Sequence, residues 1–184
     1  ASGTFYDAVR FYDPNNGILL GDPEGGYFVI YTTTNGGSSW QRTPSLSIPA
    51  PASGEYGVAN NLAISGNYAW FSTSVGTGGT PRVFRSTDRG KSWQIGASIS
   101  TLGVQLTSIA FASDAVGLVQ GNNGNMVRTT DGGLTWNPVV ATGLSASASV
   151  DFATPTTAVF LGSRGKSGVS SDGGLTWSPR TTPD

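Results

Sequence analysis

Cysteine and histidine are both absent from the 184 residues. Without cysteine there is no disulfide framework, no thiol nucleophile and no cysteine-held zinc. Without histidine, Ser-His-Asp triads and ordinary histidine metal sites are excluded as well. Charge is scarce, at 11% of the chain with a net charge of −1 and no Lys/Arg run. The electrostatic footprint of a nucleic-acid or anionic-membrane partner is therefore missing. No apolar run reaches the roughly 18 residues that a membrane-spanning helix needs. The chain opens at Ala1 without Met and without a visible signal peptide, as expected of a processed or excised chain.

Glycine, in contrast, is abundant, at 27 residues. Much glycine with little charge fits an all-β protein rich in turns and does not fit a helical bundle. The length suits one domain with a substantial core.

One eight-residue segment is written four times: Thr33 to Trp40 (TTNGGSSW), Ser86 to Trp93 (STDRGKSW), Thr129 to Trp136 (TTDGGLTW) and Ser170 to Trp177 (SSDGGLTW). Its pattern is Ser/Thr-x-Asp-x-Gly-x-x-Trp, with Asn35 replacing Asp in the first copy. Asp or Asn at the start of a tight turn can accept backbone N–H groups one or two residues on, a role expected of Asn35, Asp88, Asp131 and Asp172. Gly37, Gly90, Gly133 and Gly174 supply positive φ. Trp40, Trp93, Trp136 and Trp177 are expected to start the next strand and cover the turn. These residues are therefore read as structural, with no catalytic residue and no metal ligand among them.

The segment resembles the Asp-box, or bacterial neuraminidase repeat, of sialidases, sortilin-type receptors, xyloglucan-degrading endoglucanases and propeller-type photosystem II assembly factors. The resemblance covers all four copies and implies a β-propeller. The Asp-Gly-Gly-Leu-Thr-Trp wording and the short last two repeats look most like the photosystem II assembly factors and their bacterial relatives, which are non-enzymatic scaffolds.

The tryptophans of the four copies are 53, 43 and 41 residues apart, a propeller-blade period. Four four-stranded antiparallel blades are expected, at about 1–45, 56–98, 104–142 and 146–184, each with its repeated turn between the third and fourth strands. In the first, strands are expected at Phe5 to Tyr12, Ile18 to Gly21 and Tyr27 to Thr33, leaving Gly-Asp-Pro-Glu-Gly-Gly as a loop. The Pro/Ser/Ala-rich stretch Pro44 to Gly54 reads as a surface excursion long enough to have a task. Trp70, the one tryptophan outside the repeated segments, reads as core. Four whole blades could close on themselves, form part of a larger ring, or make an eight-bladed ring from two copies; part of an assembly is the favoured reading. An unclosed unit leaves two sheet faces exposed and should self-associate.

The face opposite the repeated turns is where a ligand is expected. Reading loops onto it gathers Asp22, Glu24, Glu55, Tyr56, Arg82, Asn122, Asn123, Asn125, Arg164 and Lys166. Glu24 and Glu55 are the two glutamates of the chain. Asp22 or Glu24 facing Glu55 would give the paired carboxyls of a glycoside hydrolase. The resemblance does not carry a sialidase site over, because the Arg-Ile-Pro motif is absent. Xyloglucan-degrading enzymes place their two aspartates in separate propellers. Asp13, Asn15 and Asn16 offer oxygen ligands in one loop, but no carboxylate follows at EF-hand spacing, so no metal and no cofactor are expected. The reading is a secreted or periplasmic, non-catalytic propeller module that binds a protein or a glycan, with a glycoside hydrolase or a piece of one as the alternative.

Overall fold

The structure, a computed structural model, describes residues 4–76, 78–103, 105–140, 149–162 and 166–181. Among these residues it holds no α-helix, only single 3-10 turns at Ser45–Ser47 and Ser100–Leu102. Four four-stranded antiparallel sheets follow one another along the chain. The first is β1 (Tyr6–Phe11), β2 (Gly17–Glu24), β3 (Tyr27–Thr33) and β4 (Gln41–Arg42). The second is β6 (Leu62–Ser65), β7 (Tyr68–Ser72), β9 (Val83–Ser86) and β10 (Gln94–Ile95), with β5 (Glu55–Tyr56) and β8 (Ser74–Val75) paired separately beside it. The third is β11 (Leu106–Phe111), β12 (Gly117–Gly121), β13 (Met126–Thr129) and β14 (Asn137–Val139), and the fourth β15 (Ser149–Phe152), β16 (Ala158–Leu161), β17 (Lys166–Ser170) and β18 (Ser178–Thr181). These are propeller blades, each strand pairing with the next along the chain except where β8 interrupts the second sheet.

Blades one and three share a register. Val9 pairs with Leu19 as Ile109 pairs with Val119, and both first strands bulge at the same place, at Asp7 and Thr107. Side chains alternate between the two faces of each sheet, so every blade offers one apolar face backward and one forward. Ile18, Leu20, Phe28 and Ile30 of blade one meet Phe71 and Phe84 of blade two. Trp70 and Val83 on blade two's other face meet Ile109, Val119 and Val127 of blade three. Leu118 and Met126 of blade three then meet Val150 and Phe160 of blade four. The core is therefore three successive inter-blade layers.

The repeated turns differ from expectation in two details. Each aspartate accepts the N–H groups three and four residues on, Leu134 at 3.0 Å and Thr135 at 2.9 Å for Asp131, because the turn spans two successive positive-φ residues rather than one. Each tryptophan precedes the fourth strand instead of starting it. The Asp-Pro-Glu segment is not a loop: β2 runs through it, past an irregularity between Gly21 and Pro23, and only Gly25 and Gly26 turn. Pro44 to Gly54 lies against blade two, with Ile48 in the first core layer and Ser47 accepting the Trp93 N–H at 2.8 Å.

Trp70 is fully buried, stacked on Phe111 at a ring separation of 3.6 Å, and its Nε1 donates to the Gly132 carbonyl at 2.7 Å. Trp70→Ala should cost about 3–5 kcal/mol. Trp70→Phe should cost less, mostly through the carbonyl left without its donor. Urea unfolding of the two variants measures the difference.

Candidate functional site

The residues expected on the loop face do not form one site. Glu55 is buried and fully engaged. Its carboxylate accepts Thr73 Oγ1 at 2.6 Å, the Ala52 N–H at 2.8 Å and Arg82 Nε at 3.0 Å, and Arg82 Nη2 closes the ion pair. Arg82 also donates to the Ala50 carbonyl at 3.0 Å. This ion pair fastens the 44–57 strap to blade two; it does not face a cleft. Glu24 ends β2, 3.6 Å from Arg42 and accepting Thr4 Oγ1 at 3.0 Å. The carboxyl pair of a hydrolase, Glu55 against Asp22 or Glu24, is thus not assembled. Asn123 and Asn125 both donate to the Thr101 carbonyl at 3.0 Å, and Asn122 reaches Gln105. Lys166 is exposed at the start of β17, and Arg164 lies outside the described residues.

Asp22 and Tyr56 do come together. They line a cleft of about 310 Å³ with Phe5, Asp7, Gln105 and Thr107. The strap positions them: Asp22 Oδ1 accepts the Gly57 N–H at 2.9 Å, and the Tyr56 hydroxyl accepts Gln105 Nε2 at 3.3 Å. Asp7 and Thr107 reach the cleft from the equivalent bulges of β1 and β11, where a bulge re-aims a side chain. A Cβ on Gly57 would lie 2.1 Å from Asp7 Oδ2, so only glycine fits against that carboxylate.

Asp7 was not legible as a site residue. In sequence it is one of two charged positions in β1, with Arg10; the signal is its alignment with Thr107. Its Oδ2 is buried without a hydrogen-bond partner. Burial, then the nearby Asp22 carboxylate, push Asp7 up to about 6. Among the described residues the cleft's titratable lining is Asp7, Asp22 and Tyr56, with no Lys or Arg.

The carboxylates of the repeated turns are perturbed the other way. Asp131 is raised by partial burial but lowered further by the Thr135 side chain and N–H, the Thr129 hydroxyl and the Leu134 N–H, down to about 2. Asp172 is also held below the usual carboxylate range, chiefly by the Thr176 hydroxyl and N–H. Among the described residues no group of three or more acidic side chains is arranged to hold a metal ion.

The profile of the family described as "Photosynthesis system II assembly factor YCF48" matches residues 47–130. No curated protein matches the sequence. Among solved structures, the chain is similar to "YCF48 bound to D1 peptide", at 19% identity and TM-score 0.66, over 98% of this chain and 54% of that one. It is similar to YCF48 from Cyanidioschyzon merolae, at 20% identity and TM-score 0.64, over 98% and 57% of the two chains. The GH74 xyloglucanase of Xanthomonas campestris matches at 15% identity and TM-score 0.68, over 99% of this chain and 31% of the enzyme. The chain spans about half the length of the YCF48 structures. Its repeats are those of a BNR-type propeller, with wording like that of the assembly factors.

Opposite shifts predict opposite pH behaviour. The stability supplied by Asp131 is complete above its unfolded value of 3.8 and is lost as pH falls through about 2. Asp7, raised from 3.8 to about 6, destabilises the fold above pH 6, and that penalty disappears as pH falls below 3.8. Asp131→Ala should therefore lose about 0.5–2 kcal/mol at neutral pH, as for a lost local cap. Asp7→Asn should melt higher than wild type at pH 7 and equal to it near pH 3.8. Thermal unfolding across that range checks both signs.

Proposed function

We propose that this chain is a non-catalytic propeller scaffold that holds an extended segment of a partner protein on its loop face, with a basic side chain of that segment in the Asp7–Asp22 cleft. The observation carrying this reading is a cleft lined, among the described residues, by two carboxylates and by no cation. A lysine or arginine would supply the missing positive charge and donors, and charge-assisted hydrogen bonds are the strong ones. Tyr56 and Phe5, both exposed beside the carboxylates, give the stem of such a side chain an apolar surface. The peptide named with one YCF48 structure supports a protein partner for a propeller of this kind. An extracytoplasmic location belongs to the same proposal, supported by the low charge and by the many Ser, Thr, Asn and Gly residues.

The hydrolase alternative has less support, because Glu55 has its carboxylate oxygens taken by donors and Glu24 stands apart from it. A glycan ligand rests on the resemblance alone.

Binding to an array of random peptides tests the proposal. Wild type should enrich Lys or Arg at one position, and Asp7→Asn and Asp22→Asn should each lose that enrichment with about a tenfold or greater drop in affinity, as for a charged hydrogen bond. Binding should weaken as pH falls through about 6, where Asp7 gains a proton, and Asp7→Asn should remove that dependence. Enrichment unaffected by either variant, or glycoside turnover abolished by Glu24→Gln or Glu55→Gln, would displace this reading.

A further inference from the structure

The four repeated turns share a backbone that one residue fits poorly. Directly after the aspartate or asparagine, the chain has positive φ in every copy: Gly36 at 68°, Arg89 at 60°, Gly132 at 71° and Gly173 at 74°. The N–H of that residue is used in the same way each time. Arg89 donates to the Asn67 carbonyl at 2.9 Å, as Gly132 does to Ala115 at 2.8 Å and Gly173 to Thr156 at 2.7 Å. The corner therefore imposes the conformation, which is ordinary for glycine and costly for a residue with a Cβ. The second copy alone places a side chain there, and backbone strain of this kind gathers at functional sites.

A second departure faces it from blade one. The residue just before the repeated turn is Arg85 in blade two and Arg128 in blade three, and each lies against the first glycine of the next blade's turn. Arg128 Nε donates to the Gly173 carbonyl at 2.8 Å, and a Cβ on Gly132 would stand 3.3 Å from Arg85 Nε. Blade one has the short Thr32 at that position. Between Thr32 and Arg89 lies a cavity of about 140 Å³, lined also by Tyr12, Asn16, Thr34 and Lys91.

Its chemistry is the reverse of the Asp7–Asp22 cleft. Arg89 and Lys91 bring two positive charges, Thr32 and Thr34 bring hydroxyls, and among the described residues no carboxylate lines it. Arg89 is fixed in place: Nε donates to Asn67 Oδ1 at 2.8 Å, Nη1 donates to Asp13 Oδ2 at 3.2 Å, and the guanidinium lies 5.5 Å from the centre of the Tyr12 ring. Neither hydrogen bond uses Nη2. Lys91 is exposed. Burial pushes the Tyr12 phenol well above the ordinary tyrosine range, so its hydroxyl stays protonated. Asp13 and Asp88 stand nearby, but both carboxylates are engaged, Asp13 by Asn15 and Asn16 and Asp88 by Ser86, Ser92 and the Lys91 N–H.

We propose that this cavity, on the face of the repeated turns between blades one and two, binds a carboxylate group held by Arg89 Nη2 and the Lys91 ammonium. At about 140 Å³ it is well below the roughly 300–1,000 Å³ of a drug-sized site, so its occupant is a group of few heavy atoms. An acidic side chain of a partner or a small free acid meets that limit. A carboxylate, with one charge, suits the site better than a phosphate dianion, because Asp13 already offsets part of the Arg89 charge. Charge-assisted bonds from a guanidinium match carboxylate geometry and supply the specificity. Gly17 and Asp22 stand at opposite ends of β2, so this site and the acidic cleft lie on opposite faces and neither depends on the other.

Amide NMR spectra at constant ionic strength test this. Acetate should shift the signals of Thr32, Thr34, Arg89 and Lys91 and saturate. An acetylated, amidated Gly-Glu-Gly peptide should do the same, and its glutamine counterpart should not. Saturation by the glutamyl peptide at about a tenth of the acetate concentration or less assigns the carboxylate to a partner protein, and equal saturation assigns it to a free acid. Arg89→Gly and Lys91→Leu install the residues that the third repeated turn carries as Gly132 and Leu134, so both variants should fold, as melting curves verify. Each should weaken binding about tenfold or more, as for a charged hydrogen bond. Lys166→Gln, in blade four, should bind like wild type. Spectra unmoved by either carboxylate, equal shifts from the glutamine peptide, or full binding retained by Arg89→Gly would each overturn the proposal.

Discussion

The contact on which the architecture depends is that of a glycine pressed onto the blade before it. Three times a residue of positive φ and no side chain lets a corner approach to within van der Waals contact of Ile18, Trp70 or Leu118. Left-handed backbone is ordinary for glycine and costly for other residues. What holds it there is a hydroxyl four residues earlier: Ser86, Thr129 and Ser170 accept the glycine N–H at 2.8, 2.9 and 2.8 Å and donate to the aspartate. These hydroxyls belong to buried residues, so removing one leaves an N–H without water to replace it, at about 1–3 kcal/mol. The aspartate in turn fixes the two residues before tryptophan. Hydroxyl, aspartate and glycine therefore act as one corner whose product is the distance between blades.

Much of this was legible in sequence because it is local. The β3 limits coincide with the expected ones, since a tyrosine after the Gly25–Gly26 turn and the hydroxyl residue that opens the repeated segment mark its two ends. The exchange of Asn35 for Asp was legible too, and the structure adds its meaning. Asn35 keeps the bond to the Ser39 N–H at 2.9 Å but donates to the Ser39 hydroxyl, where the aspartates accept from theirs. The hydroxyl just before each tryptophan completes the corner, and its recurrence as Ser39, Ser92, Thr135 and Thr176 was the available signal for it.

The candidate site was less legible, because its residues are joined across the chain. Nothing near Glu55 in sequence announces Arg82, 27 positions away, or the Thr73 hydroxyl, 18 positions away. Scarce charge made both glutamates look functional, yet scarcity also makes a buried ion pair conspicuous for the wrong reason. Asp7 has the opposite history. In a strand that also carries Arg10 it looks like an incidental charged residue, and only the bulge shared with β11 turns it toward the cleft.

The ion pair has a consequence for function even though it touches no ligand. Breaking one partner of a buried pair costs about 3–5 kcal/mol, because the other charge is left without its counterion. The strap from Pro44 to Gly57 is therefore held at several points, through Ser47, Ile48, Ala50 and Glu55, and not only at its ends. Its last residues, Tyr56 and Gly57, are the ones that close the cleft over Asp7 and Asp22. A loop inserted between two regular blades has thus been fixed rigidly enough to shape a pocket that the repeat alone does not contain. The repeat fixes where blades stand; the departure from the repeat, between its first and second copies, makes one part of the loop face chemically different from the rest.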